Sequence, residues 1–273
     1  MTIPKFKKTI LDWYKDNKRN LPWRNTKNPY RIMVSEIMLQ QTQVSRVLPK
    51  YKDFLKAFPD IKTLAACKDS DLLAIWSGLG YWRRARFLKE ACKEIAKKHN
   101  GKFPKDIKTL LTLPGIGPYT AGAISCFAFG NTEPFIDTNI RRVYLHFFFK
   151  GKTDVHDAEI LKIAKKAIPK EDARNWNWAL FDYGALALKD KKINKKSRHY
   201  AKQSKFIGSF RQYRAKLMRF MLSQPKHDMP KTAALDFLEE ILRKEEQDYS
   251  AGEILESLIQ DKLVKQNNTR IFL

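Results

Sequence analysis

Cysteines are few in this sequence, and their positions exclude a covalent framework. The 273 residues include three cysteines, which lie far apart and form no CxxC pair. Neither a disulfide framework nor a cysteine metal site is therefore indicated. Each cysteine has apolar neighbours, a context in which a small side chain usually fills the core. The three are Cys67, Cys92 and Cys126.

Long apolar runs are missing too. A membrane-spanning helix needs ~18 or more uninterrupted apolar residues, and no stretch of the sequence reaches that length. The first five residues lack the apolar run of a secretory signal. We therefore expect an intracellular, cytoplasmic protein, nucleoid-associated if it is prokaryotic, that has no membrane partner.

Acidic residues are scarce relative to basic ones. The chain carries 29 Asp and Glu against 53 Lys and Arg, which gives a formal net charge of +24 and a pI near 9.9. A protein this basic usually binds a polyanion, and nucleic acid is the first candidate. Lysine pairs such as those at 97–98 and 165–166 are equally compatible with a solvated surface, so the charge favours nucleic acid but indicates no reaction.

Strand-like segments are few, and helical periodicity dominates. Phe6, Ile10 and Trp13 recur at the spacing of one helix face. Proline separates the helical segments repeatedly. We predict an all-α body over residues 1–205. The separating prolines are Pro29, Pro59, Pro104, Pro114, Pro118 and Pro134.

Residues 206–273 are predicted to form a small C-terminal module. A basic, apolar-poor stretch at 189–205 precedes them and is typical of a linker or a DNA-facing loop. Helical patterns followed by a hairpin signal resemble a winged-helix module. The helical patterns cover 211–223, 231–244 and 249–260, and the hairpin signal is Asn267-Asn268.

The string LPGIGPYTAGAI at 113–124 is the sharpest local signal. Gly115 and Gly117 permit a tight turn, and Pro118 suits the first turn of a following helix. Such a turn directs backbone N–H groups and a helix N-terminus at one point, where a DNA phosphate fits. A structural turn without ligand is the alternative for an isolated GxG, and the full string favours a helix-hairpin-helix motif.

Two carboxylates have contrasting surroundings. Asp137 precedes an apolar-periodic helix, where a simple N-cap is the plain interpretation, and the cap should lower its pKa and keep it ionised. Glu36 lies in an apolar stretch that predicts a helix buried all round. Its pKa should be raised, unless an arginine forms a buried salt bridge with it. One neutral and one charged carboxyl are the arrangement for acid-assisted cleavage of a glycosidic bond.

Two further segments combine polar, aromatic and basic residues. Residues 40–43, QQTQ, end the buried helix, where amides either probe a base edge or only terminate the helix. The string GLGYWRRAR at 78–86 places two aromatics beside three arginines, a composition for base stacking and phosphate contact. A loop anchored by core aromatics is the alternative for this string.

Together and in this order, the strings resemble the helix-hairpin-helix glycosylase superfamily, and within it the MutY-type adenine DNA glycosylases. The resemblance covers roughly residues 5–188, and the shared order of the motifs makes it specific. The matching strings are LPWR at 21–24, SEIMLQQTQV at 35–44, GLGYWRRAR at 78–86, LPGIGPYTAGAI at 113–124, DTNIRRV at 137–143 and ALFDYGAL at 179–186.

The resemblance implies a mainly α fold of two lobes, with the DNA and an extruded base in the cleft between them. A six-helix lobe would span about residues 25–135, and the second lobe would join 1–24 to 136–205. The C-terminal module, helical and winged-helix-like, would span 206–273. Because that module is less basic than the body, we expect it to act as a structural cap or as a reader of the opposite strand.

The resemblance also assigns catalytic residues. Glu36 corresponds to the general acid that protonates adenine, and Asp137 to the carboxylate that stabilises the oxocarbenium-like sugar. Asn139 resembles the asparagine that supports Asp137 and the catalytic water. Tyr119 stands where bifunctional relatives such as endonuclease III carry a catalytic Lys, so Schiff-base lyase chemistry is not expected.

The remaining assignments concern binding. Trp23, Arg24 and Asp182 resemble the lining of an adenine pocket, and Asp182 beside Glu36 favours adenine because two carboxyls can face its N6 and N7 edge. Residues 41–42, 79 and 81 resemble the wedge that fills the base stack and touches the opposite purine. The predicted DNA-binding residues are Gln40, Gln41, Thr42, Leu79, Tyr81, Arg84, Arg86, Gly115 and Gly117.

The sequence departs from the family pattern at two places. Relatives hold a [4Fe–4S] cluster with four cysteines at spacing C-x6-C-x2-C-x5-C, whereas Leu188, Lys195, Arg198 and Ser204 stand there in this chain. We expect no cluster, no other metal and no cofactor, although the resemblance allows a monovalent cation at the hairpin. The relatives' C-terminal domain, which helps to recognise 8-oxoguanine, resembles a Nudix fold that the helical pattern after Gly208 does not match.

These observations predict a monofunctional DNA N-glycosylase of base-excision repair. It would hydrolyse the N-glycosidic bond of adenine mispaired with 8-oxoguanine or guanine, after base flipping. The expected partner is double-stranded DNA with a mispaired or damaged base, bound by a monomer. A glycosylase for thymine or uracil opposite guanine is the alternative within the fold. A non-catalytic helix-hairpin-helix DNA-binding protein is the alternative of another class, and the joint presence of the four catalytic candidates argues against it.

Overall fold

A computed structural model describes residues 1–273, apart from the side chain of residue 191. Helices dominate, and they begin where proline and capping residues indicate: Pro29 and Pro118 each open one. The helices of the body are α1 Ile3–Asn17, α2 Pro29–Leu39, α3 Val44–Ala57, α4 Ile61–Ala66, α5 Asp69–Trp76, α6 Arg83–Lys98, α7 Ile107–Leu110, α8 Pro118–Phe129, α9 Thr138–Phe148, α10 Asp157–Ala167 and α11 Ala173–Asp182. Shorter 3-10 turns cover Pro22–Arg24 and Lys191–Lys196, and a π-helical turn covers Tyr183–Ala187.

Met1–Ile37 and Phe103–Lys202 form one compact unit. Its core contains Phe6 of α1, whose ring packs on Tyr144 and Phe148 of α9 and on Trp176 of α11 at centroid distances of 4.9–5.5 Å. Burying such aromatic pairs is strongly favourable. These contacts fix α9 and α11, the two helices whose ends carry the candidate carboxylates at 137 and 182.

Met38–Lys102 and Gln203–Leu273 form the second unit. The C-terminal residues pack into it through specific polar contacts. The Arg86 guanidinium donates a hydrogen bond to the Asp261 carbonyl oxygen at 2.8 Å, and the Lys265 ammonium lies 2.8 Å from the Asp69 carboxylate. The C-terminal segment therefore completes this unit and is not an independent tail.

The C-terminal module has the helix–strand–helix–helix–strand–strand order of a winged helix. Helix α13 begins at residue 231, as expected, and α14 begins two residues after the predicted start. The strand β1 was not predicted. The elements of the module are α12 Phe210–Ser223, β1 Asp228–Pro230, α13 Lys231–Lys244, α14 Ala251–Gln260, β2 Lys265–Gln266 and β3 Arg270–Phe272, and the antiparallel sheet has the order β1-β3-β2.

The two compact units divide the chain differently from the predicted lobes. The structure groups residues 25–37 and 103–135 with 136–202, and it groups 206–273 with 38–102. The lobe boundaries at 24–25 and 135–136 stay a prediction. Within the residues that the structure describes, no helix combines the length and apolar character needed to span a membrane.

Candidate active site

Glu36 lies on α2, whose residues 32–38 are all buried. Its side chain keeps only 4% of its surface exposed, as the apolar stretch predicted. The Tyr119 hydroxyl donates a hydrogen bond to the Glu36 carboxylate at 2.5 Å. Among the side chains that the structure describes, no basic residue forms the alternative, a buried salt bridge to Glu36, and the nearby Arg24 pairs with Asp182 instead.

Burial raises the pKa of Glu36 from 4.5 to about 7. The hydrogen bond from Tyr119 opposes this rise, the negative charge of Asp137 adds to it, and the positive charge of Arg24 opposes it. Desolvation wins because a carboxylate in a low-dielectric interior loses its hydration. Near neutral pH a large fraction of Glu36 therefore carries a proton, the state that a general acid needs.

Asp137 caps α9, as the sequence predicted. One carboxylate oxygen accepts a hydrogen bond from the Ile140 N–H at 2.6 Å, and the other accepts one from the Asn139 side-chain amide at 3.0 Å. The expectation of a lowered pKa is wrong: burial raises the pKa of Asp137, and the hydrogen bonds from Ile140 and Asn139 offset this only in part. The cap orients the carboxylate but does not compensate for its desolvation.

Gly184 supports this cap and was not singled out from the sequence. A Cβ at this position would lie 2.4 Å from the backbone carbonyl oxygen of Asn139. The Gly184 carbonyl in turn accepts a hydrogen bond from the buried Arg142 at 2.7 Å. The glycine in the string DYGAL, inside a helical pattern, was the signal that a backbone approaches closely at this point.

The predicted base-pocket residues Arg24 and Asp182 form a buried ion pair. Both Arg24 terminal nitrogens lie 2.7 Å from the Asp182 oxygens. Arg19, which the sequence did not indicate, donates to the same carboxylate from its Nε at 2.6 Å and from its backbone N–H at 3.0 Å. Burial acts to raise the pKa of Asp182, but these donors outweigh it and hold the pKa below its usual value.

The ion pair corrects one part of the sequence interpretation. Asp182 has none of its surface exposed, and each of its oxygens already accepts hydrogen bonds from arginine. It is therefore not free to face the N6 and N7 edge of a base. Its effect is to orient Arg24, whose charge also acts on Glu36. Trp23 is buried on the adjoining 3-10 turn, and its place in a base pocket stays a prediction.

The turn between α7 and α8 has the predicted helix-hairpin-helix geometry. Gly115 has φ +74°, a left-handed conformation that favours glycine. Gly117 is the residue before α8, and Pro118 occupies the first helical position. A Cβ built on Gly117, which is exposed, would meet open space. The backbone of this turn is thus open to a close-approaching group, as phosphate binding requires.

Arg84 is not a DNA ligand but an internal clamp of the second unit. It is 8% exposed and donates to the carbonyl oxygens of Met38, Gln40, Leu79 and Gly80 at 2.5–3.0 Å. It also donates to the Thr42 hydroxyl oxygen at 3.0 Å. The predicted phosphate contact is wrong because a buried guanidinium must satisfy its donors internally.

The wedge candidates divide into buried and exposed residues. Leu79 is 2% exposed. Its side chain fills the core under the loop and does not project outward as a wedge residue would. Gln40 and Thr42 are half-buried, whereas Gln41 and Tyr81 are exposed. Gln41 and Tyr81 also have left-handed backbone, with φ 56° and 45°. Of the predicted wedge, these two residues present their side chains outward.

Arg86 also has a structural partner. Its guanidinium is half-buried, and its hydrogen bond to the Asp261 carbonyl joins α6 to the end of α14. The predicted DNA contact of Arg86 is therefore replaced, in this structure, by a contact that anchors the C-terminal module.

The four positions of the family's iron ligands do not fit an iron–sulfur cluster. Leu188 is buried, and Lys195, Arg198 and Ser204 are exposed. None of these side chains supplies the thiolate that such a cluster needs. Among the residues with described side chains, no group of three or more His, Cys, Asp and Glu is arranged to hold a metal ion.

Protein contacts hold the segment in which the cluster ligands would lie. The Val155 N–H donates to the Lys196 carbonyl oxygen at 2.8 Å, and the Arg198 N–H donates to the Val155 carbonyl oxygen at 3.0 Å. The Arg198 guanidinium pairs with the exposed Asp154 carboxylate. A short parallel bridge thus ties the segment to the chain ahead of α10.

Comparison with known proteins agrees with this geometry. Residues 34–170 match the family described as HhH-GPD superfamily base excision DNA repair protein. The chain belongs to this superfamily, and its mainly α helix-hairpin-helix glycosylase fold is confirmed. The match includes the part of α2 that carries Glu36, the hairpin turn and α9 with its Asp137 cap.

Particular relatives refine the comparison. An adenine DNA glycosylase of Buchnera aphidicola subsp. Baizongia pistaciae is 42% identical over 188 residues, 68% of this chain and 54% of the relative. One from Mycobacterium tuberculosis is 46% identical over 135 residues, 49% of this chain and 44% of the relative. The chain thus spans about half the length of these curated relatives. The resemblance to MutY-type glycosylases is confirmed.

A solved structure supports the same fold and carries a different substrate in its description. It is described as a thermostable thymine-DNA glycosylase and aligns with a TM-score of 0.64 at 29% identity, covering 71% of this chain and 92% of that chain.

Proposed function

We propose that this protein is a monofunctional DNA glycosylase that removes adenine opposite 8-oxoguanine or guanine. Superfamily membership and the curated adenine DNA glycosylases support the reaction class. The observation that carries the proposal is Glu36, a buried carboxyl with a pKa of about 7 that is hydrogen-bonded by Tyr119. The substrate is double-stranded DNA from which the adenine is extruded.

Glu36 supplies the proton for bond cleavage. In its acid form it donates the proton to a ring nitrogen of adenine, and the electron pair of the C1′–N9 bond leaves with the neutral base. The sugar is left as an oxocarbenium-like cation. General acid catalysis of this kind is worth roughly a hundredfold to ten-thousandfold in rate.

Asp137 stabilises the positive charge on the sugar. Its carboxylate is fixed by Ile140 and Asn139, so it needs little reorganisation as the charge develops. Water then adds to C1′, its proton passes to the Glu36 carboxylate, and the products are adenine and an abasic site. Tyr119, at the position of the lyase lysine, has no amine to form a Schiff base.

The chemistry of the base favours adenine over thymine. Asp182, whose oxygens are bonded by Arg19 and Arg24, does not distinguish the two bases. Adenine has basic ring nitrogens that a buried carboxylic acid can protonate. Thymine has no basic ring nitrogen, so an acid with a pKa of about 7 gives less assistance to its departure. The similarity to a thymine-DNA glycosylase keeps thymine or uracil opposite guanine as the second candidate.

Single-turnover excision by two isosteric variants tests the proposal. Glu36→Gln removes the proton donor and Asp137→Asn removes the charge, so each should slow excision of adenine at least about a hundredfold while duplex binding is retained. Glu239→Gln, at an exposed position of α13, is the matched control. Wild-type rates should fall above about pH 7 as Glu36 loses its proton. Normal excision by either site variant would remove that residue from the mechanism.

A further inference from the structure

The exposed Tyr81 is contacted by residues that follow the glycosylase body. The Arg211 guanidinium, in the first turn of α12, donates a hydrogen bond to the Tyr81 hydroxyl at 2.9 Å. The Gln203 side-chain amide contacts the same hydroxyl and lies 3.1 Å from the Gln41 side-chain oxygen. The linker and the C-terminal module therefore meet the outward-facing members of the wedge.

Gln41 and Tyr81 need external support to hold one conformation. Their backbones are left-handed, a conformation that non-glycine residues keep only when surrounding contacts fix it. Arg84 fixes the two loops from the protein interior through their carbonyl oxygens. The Tyr81 hydroxyl, at the outer end of its side chain, is bonded by Arg211 and Gln203 instead.

Arg211 is itself held in a defined orientation. Its second terminal nitrogen donates to the Ser204 carbonyl oxygen at 2.9 Å and to the Ser204 hydroxyl oxygen at 3.1 Å. Helix α12 is anchored in the unit by the buried side chains of Tyr213, Leu217 and Met221. A planar guanidinium fixed on one side presents its remaining donors in a defined direction on the other.

The helix that usually reads DNA in a winged helix is unsuitable for that here. Helix α14 carries the exposed acidic residues Glu253 and Glu256, which repel phosphate. Its C-terminal end is occupied by Arg86 and by Arg214, which pairs with Asp261. The contact at Tyr81 gives the module another route to influence recognition.

We propose that Arg211, assisted by Gln203, is a positioning residue that holds Tyr81 and Gln41 for contact with the base pair under repair. The C-terminal module then sets discrimination between opposite bases through this contact. This inference rests on the proposed glycosylase function. Arg211 acts through the Tyr81 hydroxyl and is not itself a catalytic residue.

Single-turnover kinetics of Arg211→Ala test the proposal. The ratio of rates for adenine opposite 8-oxoguanine and opposite guanine should narrow by about tenfold, the size expected for loss of a charge-assisted hydrogen bond. Arg219→Ala is the matched control, since it removes the same charge from an exposed position of the same helix. Arg211→Lys keeps the charge and a donor group but not the planar fork, so it should recover part of the rate ratio.

A double-mutant cycle separates positioning from a general charge effect. Tyr81→Phe removes the hydroxyl, so adding Arg211→Ala to it should change the ratio little further. Additive effects of the two substitutions would contradict the proposal. A rate ratio for Arg211→Ala equal to that for Arg219→Ala would also contradict the proposal. The proposed function does not depend on this result, because it stands whenever the wild type excises adenine.

Fluorescence gives a readout that does not depend on excision. A 2-aminopurine placed beside the mispair should brighten when the wild type binds and unstacks it, and should brighten less with Arg211→Ala than with Arg219→Ala. If the wild type excises no adenine, the proposed function fails. The difference in fluorescence between Arg211→Ala and Arg219→Ala still tests whether Arg211 positions Tyr81. Equal brightening by both variants would overturn it.

Discussion

Replacing Glu36 by glutamine should stabilise the folded protein at alkaline pH while it abolishes excision. The pKa of Glu36 is raised by burial from 4.5 to about 7 in the folded state. Each tenfold change in proton affinity is worth about 1.4 kcal/mol. Holding the ionised Glu36 in the fold therefore costs about 3 kcal/mol at high pH, a large share of the stability of a typical domain.

The stability advantage of Glu36→Gln grows with pH because the pKa of Glu36 is raised in the folded state. The folded state binds the proton more tightly than the unfolded chain, so the favourable contribution is complete below pH 4.5 and is lost as the pH rises through about 7. The glutamine of the variant has no such proton to lose. The stability advantage of Glu36→Gln should therefore grow from about 1 kcal/mol at pH 5 to about 3 kcal/mol at pH 8.5.

Urea unfolding of both proteins at these two pH values measures the effect, with Glu239→Gln as the exposed control. The control should change stability little and equally at both pH values. The reasoning is refuted if Glu36→Gln is no more stable than the wild type at pH 8.5, or if its advantage is the same at both pH values. Either result would mean that Glu36 is ionised in the fold without the cost of burial.

Four further outcomes are expected. Gly184→Ala should destabilise the protein by about 1–3 kcal/mol in urea unfolding and slow excision, because its Cβ would collide with the Asn139 carbonyl. Gly117→Ala, whose Cβ meets open space, should unfold like the wild type. It should nevertheless weaken duplex binding in a gel-shift assay. Borohydride should trap no covalent protein–DNA adduct, since Tyr119 lacks an amine; a strong trapped band would contradict this. Purified protein should contain no stoichiometric iron in elemental analysis, and one cluster per chain would contradict the donor set at 188–204.

Patterns in the sequence that depend on local chemistry predicted the structure well. The apolar stretch around Glu36 indicated a buried helix, and the structure has one. The hairpin glycines and the Asp137 cap were recognised because turns and caps are set by the residues themselves. The helices and the terminal hairpin of the winged helix followed from helical periodicity and the Asn267-Asn268 turn.

Interactions between distant residues could not be read in this way. Arg84 looked like a phosphate ligand because an arginine beside aromatics has the same composition in a DNA contact and in a buried clamp. Its partners at 38–42 lie some forty residues away in sequence. Asp182 is bonded by Arg19, more than one hundred and fifty residues away, so its lack of a free edge is visible only in the fold.

The pKa of Asp137 depends on a balance between opposing effects that the sequence alone does not settle. The cap on Asp137 suggested a lowered pKa, and the hydrogen bonds are present. Burial raises the pKa more than these bonds lower it, and the depth of burial of one side chain is a property of the whole unit. Strand β1 was missed for a related reason: three residues containing a proline show no strand pattern until they pair with β3.

Excision from a panel of duplexes tests the central claim most directly. The duplexes carry adenine, thymine or uracil opposite guanine or 8-oxoguanine, and alkali cleavage of the resulting abasic site scores each one. The wild type should remove adenine opposite 8-oxoguanine and guanine and lose this activity on Glu36→Gln. Removal of thymine or uracil opposite guanine with adenine left intact would contradict the account.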